Sequence, residues 1–247
     1  MMQIFSFVLG VIFGSFANVV IYRLPRKISI IKPPSACPAC GEQLKPYDMI
    51  PLLSWIVLLG KCRFCKEKVN SRYFLIELSC GVLFTLMLTH TSTLAVIPLW
   101  IFAFILLVIF FIDIDTQEIP DVLLIIAGVT GIAWVGLGQI SWYNAILGVL
   151  VGGLPLLAID RLCLLFTKKD GFGYGDVKLM AVAGIFLGWQ LTLVAFFFAF
   201  IFGGIICAFL LARSKVKRGQ YIAFAPFLCF GILCAFLFGE RFICFFI

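Results

Sequence analysis

Eight stretches of the chain are apolar for nearly the length needed to cross a bilayer, and no other feature narrows the possible folds as much. A membrane helix needs about 20 predominantly apolar residues. Runs of that kind lie at roughly 3–22, 73–90, 94–112, 121–138, 143–166, 177–189, 191–212 and 221–238. The sixth is short, which suits a tilted or partly inserted helix, and residues 239–247 can prolong the eighth. Across the 247 residues 63% are hydrophobic, 13% are charged and the mean hydropathy is +1.16. A soluble domain carries about 25% charged residues. The bilayer must therefore be the solvent. The expected fold is all-α: a polytopic membrane protein with about eight transmembrane helices. Residues 1–22 lack a basic start and a small-residue cleavage signal, so they read as a retained first span and not as a removed signal peptide.

The basic residues give the orientation. Ten of the 19 Lys and Arg fall in segment 23–72, four more follow span five (Arg161, Lys168, Lys169, Lys178) and four follow span seven (Arg213, Lys215, Lys217, Arg218). The alternate junctions, near His90–Thr93, Gln139–Trp142 and Trp189–Gln190, carry none. Only Arg241 falls on the other side, so eight spans place 18 of 19 on one face. Positive loops stay cytoplasmic. Both termini are then expected on the outer side of the membrane, in a multi-pass arrangement. The net charge of +7 is explained by topology and by contact with anionic membrane lipid, with no nucleic acid required. Three domains are expected: a first transmembrane helix (1–22), a cytoplasmic loop (23–72) and a multi-helix membrane domain (73–247).

The loop carries two C-x-x-C pairs, Cys37/Cys40 and Cys62/Cys65, separated by 21 residues. Zinc favours four thiolates in a tetrahedron, and each C-x-x-C turn delivers two. The separation is slightly beyond the usual spacing. A pair of disulfides is the competing reading, disfavoured in the reducing cytoplasm. Four Cys leave no open position for water, so the expected zinc is structural. Met49–Gly60, between the pairs, is apolar but too short to span; it packs on the zinc module or lies on the membrane surface. The other six cysteines lie in apolar runs, as small hydrophobes.

The acids are fewer and more telling. Span three ends FFIDIDTQEIPD, with Asp113, Asp115, Glu118 and Asp121 and no Lys or Arg among them. Carboxylates at a helix C-terminus oppose its macrodipole, and ionisable groups at membrane depth tend to mark function. Asp121, after Pro120, suits the first turn of the next helix. The second acidic site is DGFGYGDVKLM, where Gly171, Gly173 and Gly175 precede Asp176. On its own Asp176 reads as a helix N-cap after a flexible loop, although glycines also admit a close-lying backbone. Asp113 and Asp176 both fall at the cytoplasmic ends of spans. Two carboxylates held close there cannot easily both ionise, and one can activate water while the other polarises a carbonyl. The single His, His90, lies at the outer face, which leaves no Ser-His or Cys-His machine on the inner side.

The motifs GSFANVVIYRLP (14–25), the two C-x-x-C pairs, SRYFLIEL (71–78), FIDIDTQEIPD (111–121), GYGDVKLM (173–180) and AFAPFL (223–228) follow one another along nearly the whole chain. In this the chain resembles the type IV prepilin peptidases, or prepilin leader peptidase/N-methyltransferases, which are GxGD-type intramembrane aspartyl proteases. The resemblance implies that Asp113 and Asp176 are catalytic, with Asp115 the rival for the first role. It implies cleavage of a short basic leader from prepilin or pseudopilin precursors serving pili, type II secretion or competence. It also implies N-methylation of the new N-terminus with S-adenosylmethionine, with Cys37, Cys40, Cys62 and Cys65 as the zinc module of a methyltransferase half. Gly60 matches a position associated with methylation. Glu77 can contact a basic leader or pair with Arg72. Two other readings are an ion-coupled membrane transporter and a zinc-bearing assembly factor. The first would place its acids near the midplane in inverted repeats, and the second leaves the grouped acids without a role.

Overall fold

The computed structural model describes residues 1–91, 94–167, 173–213 and 223–246. Gly171 and the basic residues Lys168, Lys169, Lys215, Lys217 and Arg218 lie outside the described residues. Among those described there is no β-strand, only two isolated bridges. The helices are α1 (Met2–Arg23), a 3-10 turn (Pro46–Met49), α2 (Leu53–Val57), α3 (Ser71–Leu88), α4 (Val96–Thr116), α5 (Asp121–Gly136), α6 (Trp142–Thr167), α7 (Tyr174–Ala212) and α8 (Ala225–Phe246). Six are long and apolar enough to cross a membrane, and α5 is a shorter apolar helix. The chain divides into two compact units, Met1–Val108 and Ile109–Ile247, with the division inside α4.

In the first unit α1 packs on α3. Lipid offers helices no hydrophobic drive to associate, so close backbone approach at small residues takes over. Gly10 and Gly14, spaced i, i+4, supply it. A side chain on Gly10 would sit 2.7 Å from the Cys80 carbonyl, and one on Gly14 2.6 Å from the Glu77 Cα. Asn18 Nδ2 adds a hydrogen bond to the Tyr73 carbonyl at 3.3 Å. Phe84 stacks on Trp100 at 5.3 Å, and the Trp100 indole N–H donates to the Phe84 carbonyl at 2.9 Å.

In the second unit α7 is the organiser. At about 1.5 Å per residue its 39 residues are about twice as long as a hydrocarbon core is thick. It does not run straight: Gly188 has φ 70 and ψ 177. The packing shows a reversal there. The first half lies antiparallel to α6, with Gly148 against Gly184 and Gly152 against Met180. The second half lies antiparallel to α8, with Gly239 against Leu191, Gly231 against Ala195 and Ala199, and Gly203 against Phe224 and Phe227. Asp176 at the start of α7 and Ala225 at the start of α8 both approach Asp113, so they share a level. The chain leaves that level at Asp176, turns at Gly188 and returns by Gly203. Just past the break, the Thr192 hydroxyl donates to the Gly188 carbonyl at 2.6 Å. The two expected spans 177–189 and 191–212 are therefore, among the described residues, the two halves of one broken helix.

Candidate active site and metal centre

Asp113 lies three residues before the end of α4, and Asp176 is the third residue of α7. Both side chains are buried, at 5% and 4% exposure. The charge of Asp113 reaches Asp176. A third element completes the pair: the Ala225 backbone N–H, at the start of α8, donates to Asp113 Oδ2 at 3.1 Å. Pro226 follows Ala225 and contributes no N–H of its own. One turn further, buried Cys229 feels the charge of both acids. The sequence reading gives the AFAPFL motif no residue roles; the signal it offers is a Pro at a helix start after a basic junction.

Helical phase separates Asp113 from its rival. Residues two apart point about 200° apart around a helix, and Asp115 is exposed while Asp113 is buried. Glu118 is exposed as well. Asp121 pairs with Lys178 at 2.7 Å, tying the start of α5 to the start of α7. Asp176 is not an N-cap: Gly173 occupies that position and accepts the Asp176 N–H at 2.9 Å. Gly175 lets the α7 start approach Ile119, whose Cβ would be 3.0 Å from a side chain there. Asp113, Asp176 and the Ala225 amide thus come together in one buried site built from three helix ends.

The four cysteines form the second site. Their Sγ atoms all lie within 4.8 Å of one another, and all four are free thiols. The two knuckles are built alike. Cys37 N–H donates to the Glu42 carbonyl and Gly41 N–H to the Cys37 carbonyl, both at 2.9 Å; Cys62 N–H donates to Glu67 at 2.8 Å and Lys66 N–H to Cys62 at 3.1 Å. Each turn closes through a left-handed residue, Gly41 (φ 74) and Lys66 (φ 60). Tetrahedral zinc with bonds of about 2.3 Å places sulfurs about 3.8 Å apart. Cys37 and Cys65 stand at 3.9 Å, so the cluster fits a zinc ion. Backbone amides of Cys40 and Ala39 bring the Cys37 thiol down to about 7. At Cys65 the Glu67 amide pulls the same way, but burial and the neighbouring thiols prevail and push it up to about 11. A cation removes that mutual repulsion.

Arg63, between the second pair of cysteines, binds Asp48 with Nε and Nη2 each 2.7 Å from Oδ1. Asp48 in turn raises the Arg63 pKa. Glu77 is buried, and its Oε2 accepts the Leu52 backbone N–H at 2.7 Å, a role that sequence reasoning did not foresee. Gly60 has φ 64, and a side chain on it would meet the Trp55 ring at 2.8 Å. Its surroundings are packed by Trp55.

A helical membrane protein with paired carboxylates at helix ends and a separate four-thiol module is the class these features define. Comparison with known proteins agrees. Residues 8–91 match the bacterial peptidase A24 N-terminal domain, and residues 100–208 match the type IV leader peptidase family. A prepilin leader peptidase/N-methyltransferase of Stutzerimonas stutzeri is 32% identical over 96% of this chain and 90% of its own length. The protein of that name from Pseudomonas aeruginosa is 31% identical over the same shares, and that from Myxococcus xanthus is 36% identical over 82% of this chain and 61% of its own length. The chain belongs to the type IV leader peptidase family. No solved structure matches it significantly.

Proposed function

We propose that this chain is a prepilin leader peptidase that cuts prepilin-like precursors with Asp113 and Asp176 and methylates the new N-terminus. The observation that carries the reading is that both acids are buried, with the charge of Asp113 reaching Asp176 and Asp113 held by the Ala225 amide. Two carboxylates sharing a proton supply both halves of peptide hydrolysis. One takes a proton from water as the oxygen attacks the scissile carbonyl, while the other gives its proton to the carbonyl oxygen. Collapse of the tetrahedral intermediate returns a proton to the leaving amine. The Ala225 amide holds Asp113 in position for that exchange.

The membrane setting suits the substrate. The positive-inside pattern places segment 23–72 and both acids on the cytoplasmic side of the inner membrane, with both termini outside. A pilin precursor can keep its hydrophobic helix in the bilayer while its basic leader lies near exposed Asp115 and Glu118. No nucleic acid enters this account. The domains read as a first helix (1–22), a zinc-bearing loop of the methyltransferase half (23–72) and the peptidase (73–247). Cys37, Cys40, Cys62 and Cys65 hold zinc, and S-adenosylmethionine supplies the methyl group when bound. Gly60 acts in that half by setting the Trp55 packing.

Incubation of the detergent-purified chain with a prepilin-like substrate tests the reading. Asp113→Asn and Asp176→Asn each abolish leader release, whereas Asp115→Asn retains it. Full cleavage by Asp113→Asn with loss in Asp115→Asn overturns the assignment.

A further inference from the structure

We infer that residues Ile50–Leu59, between the two cysteine pairs, form a membrane-embedded re-entrant segment whose exposed apolar side chains lie among lipid acyl chains. The inference is independent of which acids cut the substrate. It begins with depth. Helix α3 has 18 residues, about 27 Å, which barely matches a hydrocarbon core of about 30 Å. Its first two turns must then lie in or against the apolar layer. Two contacts fix the segment at that level. Trp55 packs on Phe74 with ring centroids 5.0 Å apart, and the Leu52 N–H donates to Glu77 at 2.7 Å. Glu77 is six residues into α3, about 9 Å below its start.

The backbone is arranged as such a depth demands. A peptide in hydrocarbon must satisfy its polar groups internally. Pro51 has no N–H. Ser54 donates to Ile50, Ile56 to Leu52, Leu58 to Ser54, Leu59 to Ile56 and Gly60 to Trp55, at 2.8–3.0 Å. The Leu52 amide at the point of reversal, with φ 60, takes the Glu77 carboxylate.

The side chains point the same way. Leu53, Ile56, Val57 and Leu59 are 60%, 52%, 74% and 80% exposed within a five-residue helix and its end. In water this would be an unusually greasy surface for a chain segment of this length. Lys61, Lys66 and Lys68 are exposed just beyond it, placed to meet anionic headgroups while the apolar residues enter the layer beneath. Charge and hydrophobicity together fit a lipid bilayer as the occupant.

The test uses the full chain in vesicles of neutral and anionic phospholipid, with a photo-crosslinking amino acid replacing Val57 or Leu59 one at a time. Both positions are exposed, and retained prepilin cleavage confirms that each probe-bearing chain is folded. Phospholipid adducts are expected from both, as from a probe at exposed Ile12 on α1, and none from a probe at exposed Gln43 on the first knuckle. Glu77→Leu should remove the adducts at position 57, while Glu77→Gln, which keeps an acceptor oxygen, should retain them. Absence of lipid adducts at 57 and 59 alongside adducts at 12 overturns the inference. Crosslinking of 57 or 59 to a second protein chain in place of lipid overturns it equally.

Discussion

The packing of α6 on α7 predicts that a single methyl group, eight residues from Asp176, slows cleavage without unfolding the protein. In Gly184→Ala the new Cβ would fall on the Gly148 carbonyl and 2.8 Å from the Val149 nitrogen. Both neighbours are backbone, so no rotamer change relieves them. Ordinary contact begins at 3.4 Å, so α6 and α7 must part by at least 3.4 − 2.8 = 0.6 Å, and further at the carbonyl. Overpacking of this kind costs about 1–3 kcal/mol, within a total stability of about 5–15 kcal/mol. The fold survives. Asp176 lies about 12 Å along the same helix, and a misplacement near 1 Å in a catalytic group lowers rate by about 100-fold. We therefore expect kcat/KM for leader release to fall about 10- to 100-fold, with unfolding still cooperative. Gly204→Ala is the control, since nothing lies within 4 Å of its Cβ position, and it should leave cleavage unchanged. A Gly184→Ala variant that cuts at the wild-type rate refutes the proposed rigidity of this helix pair.

Further outcomes follow from the thiol module and the surface pairs. Replacing Cys37 and Cys62 with Ser should remove the bound zinc, read by metal analysis, and impair methylation while leader cleavage persists. Arg63→Ala should speed zinc release to a chelator more than Asp48→Ala does. The first strands a carboxylate whose side chain is 3% exposed, at about 1–3 kcal/mol; the second frees an arginine already 42% exposed. Lys178→Met breaks an exposed pair worth at most about 1 kcal/mol, so cleavage should continue at a similar rate.

Much of this was legible before the structure because the bilayer imposes length and sign on a sequence. The apolar runs became helices, and the uncharged gap at Trp189–Gln190 announced the turn at Gly188. The sequence could not show that this turn lies inside one helix, because a single left-handed glycine breaks a helix without any polar stretch. Asp113 and Asp115 have the same chemistry, and only the rotation of α4 sends one inward. The Ala225 amide reaches Asp113 across 112 positions, and Glu77 reaches Leu52 across 25. Neither contact follows from local pattern, since each joins residues far apart in the chain. The knuckles were the opposite case: C-x-x-C spacing dictates a local turn, and the four thiols met as expected.

The claim that matters most is that two distant acids act as one catalytic unit, and a double-mutant comparison of cleavage rates addresses it directly. Asp113→Asn and Asp176→Asn should each lower kcat by at least about 100- to 10,000-fold. The double variant should be no slower than either single one, because groups that act together are lost together. Losses that multiply in the double variant would mean that the two carboxylates work independently, and the paired site would have to be abandoned.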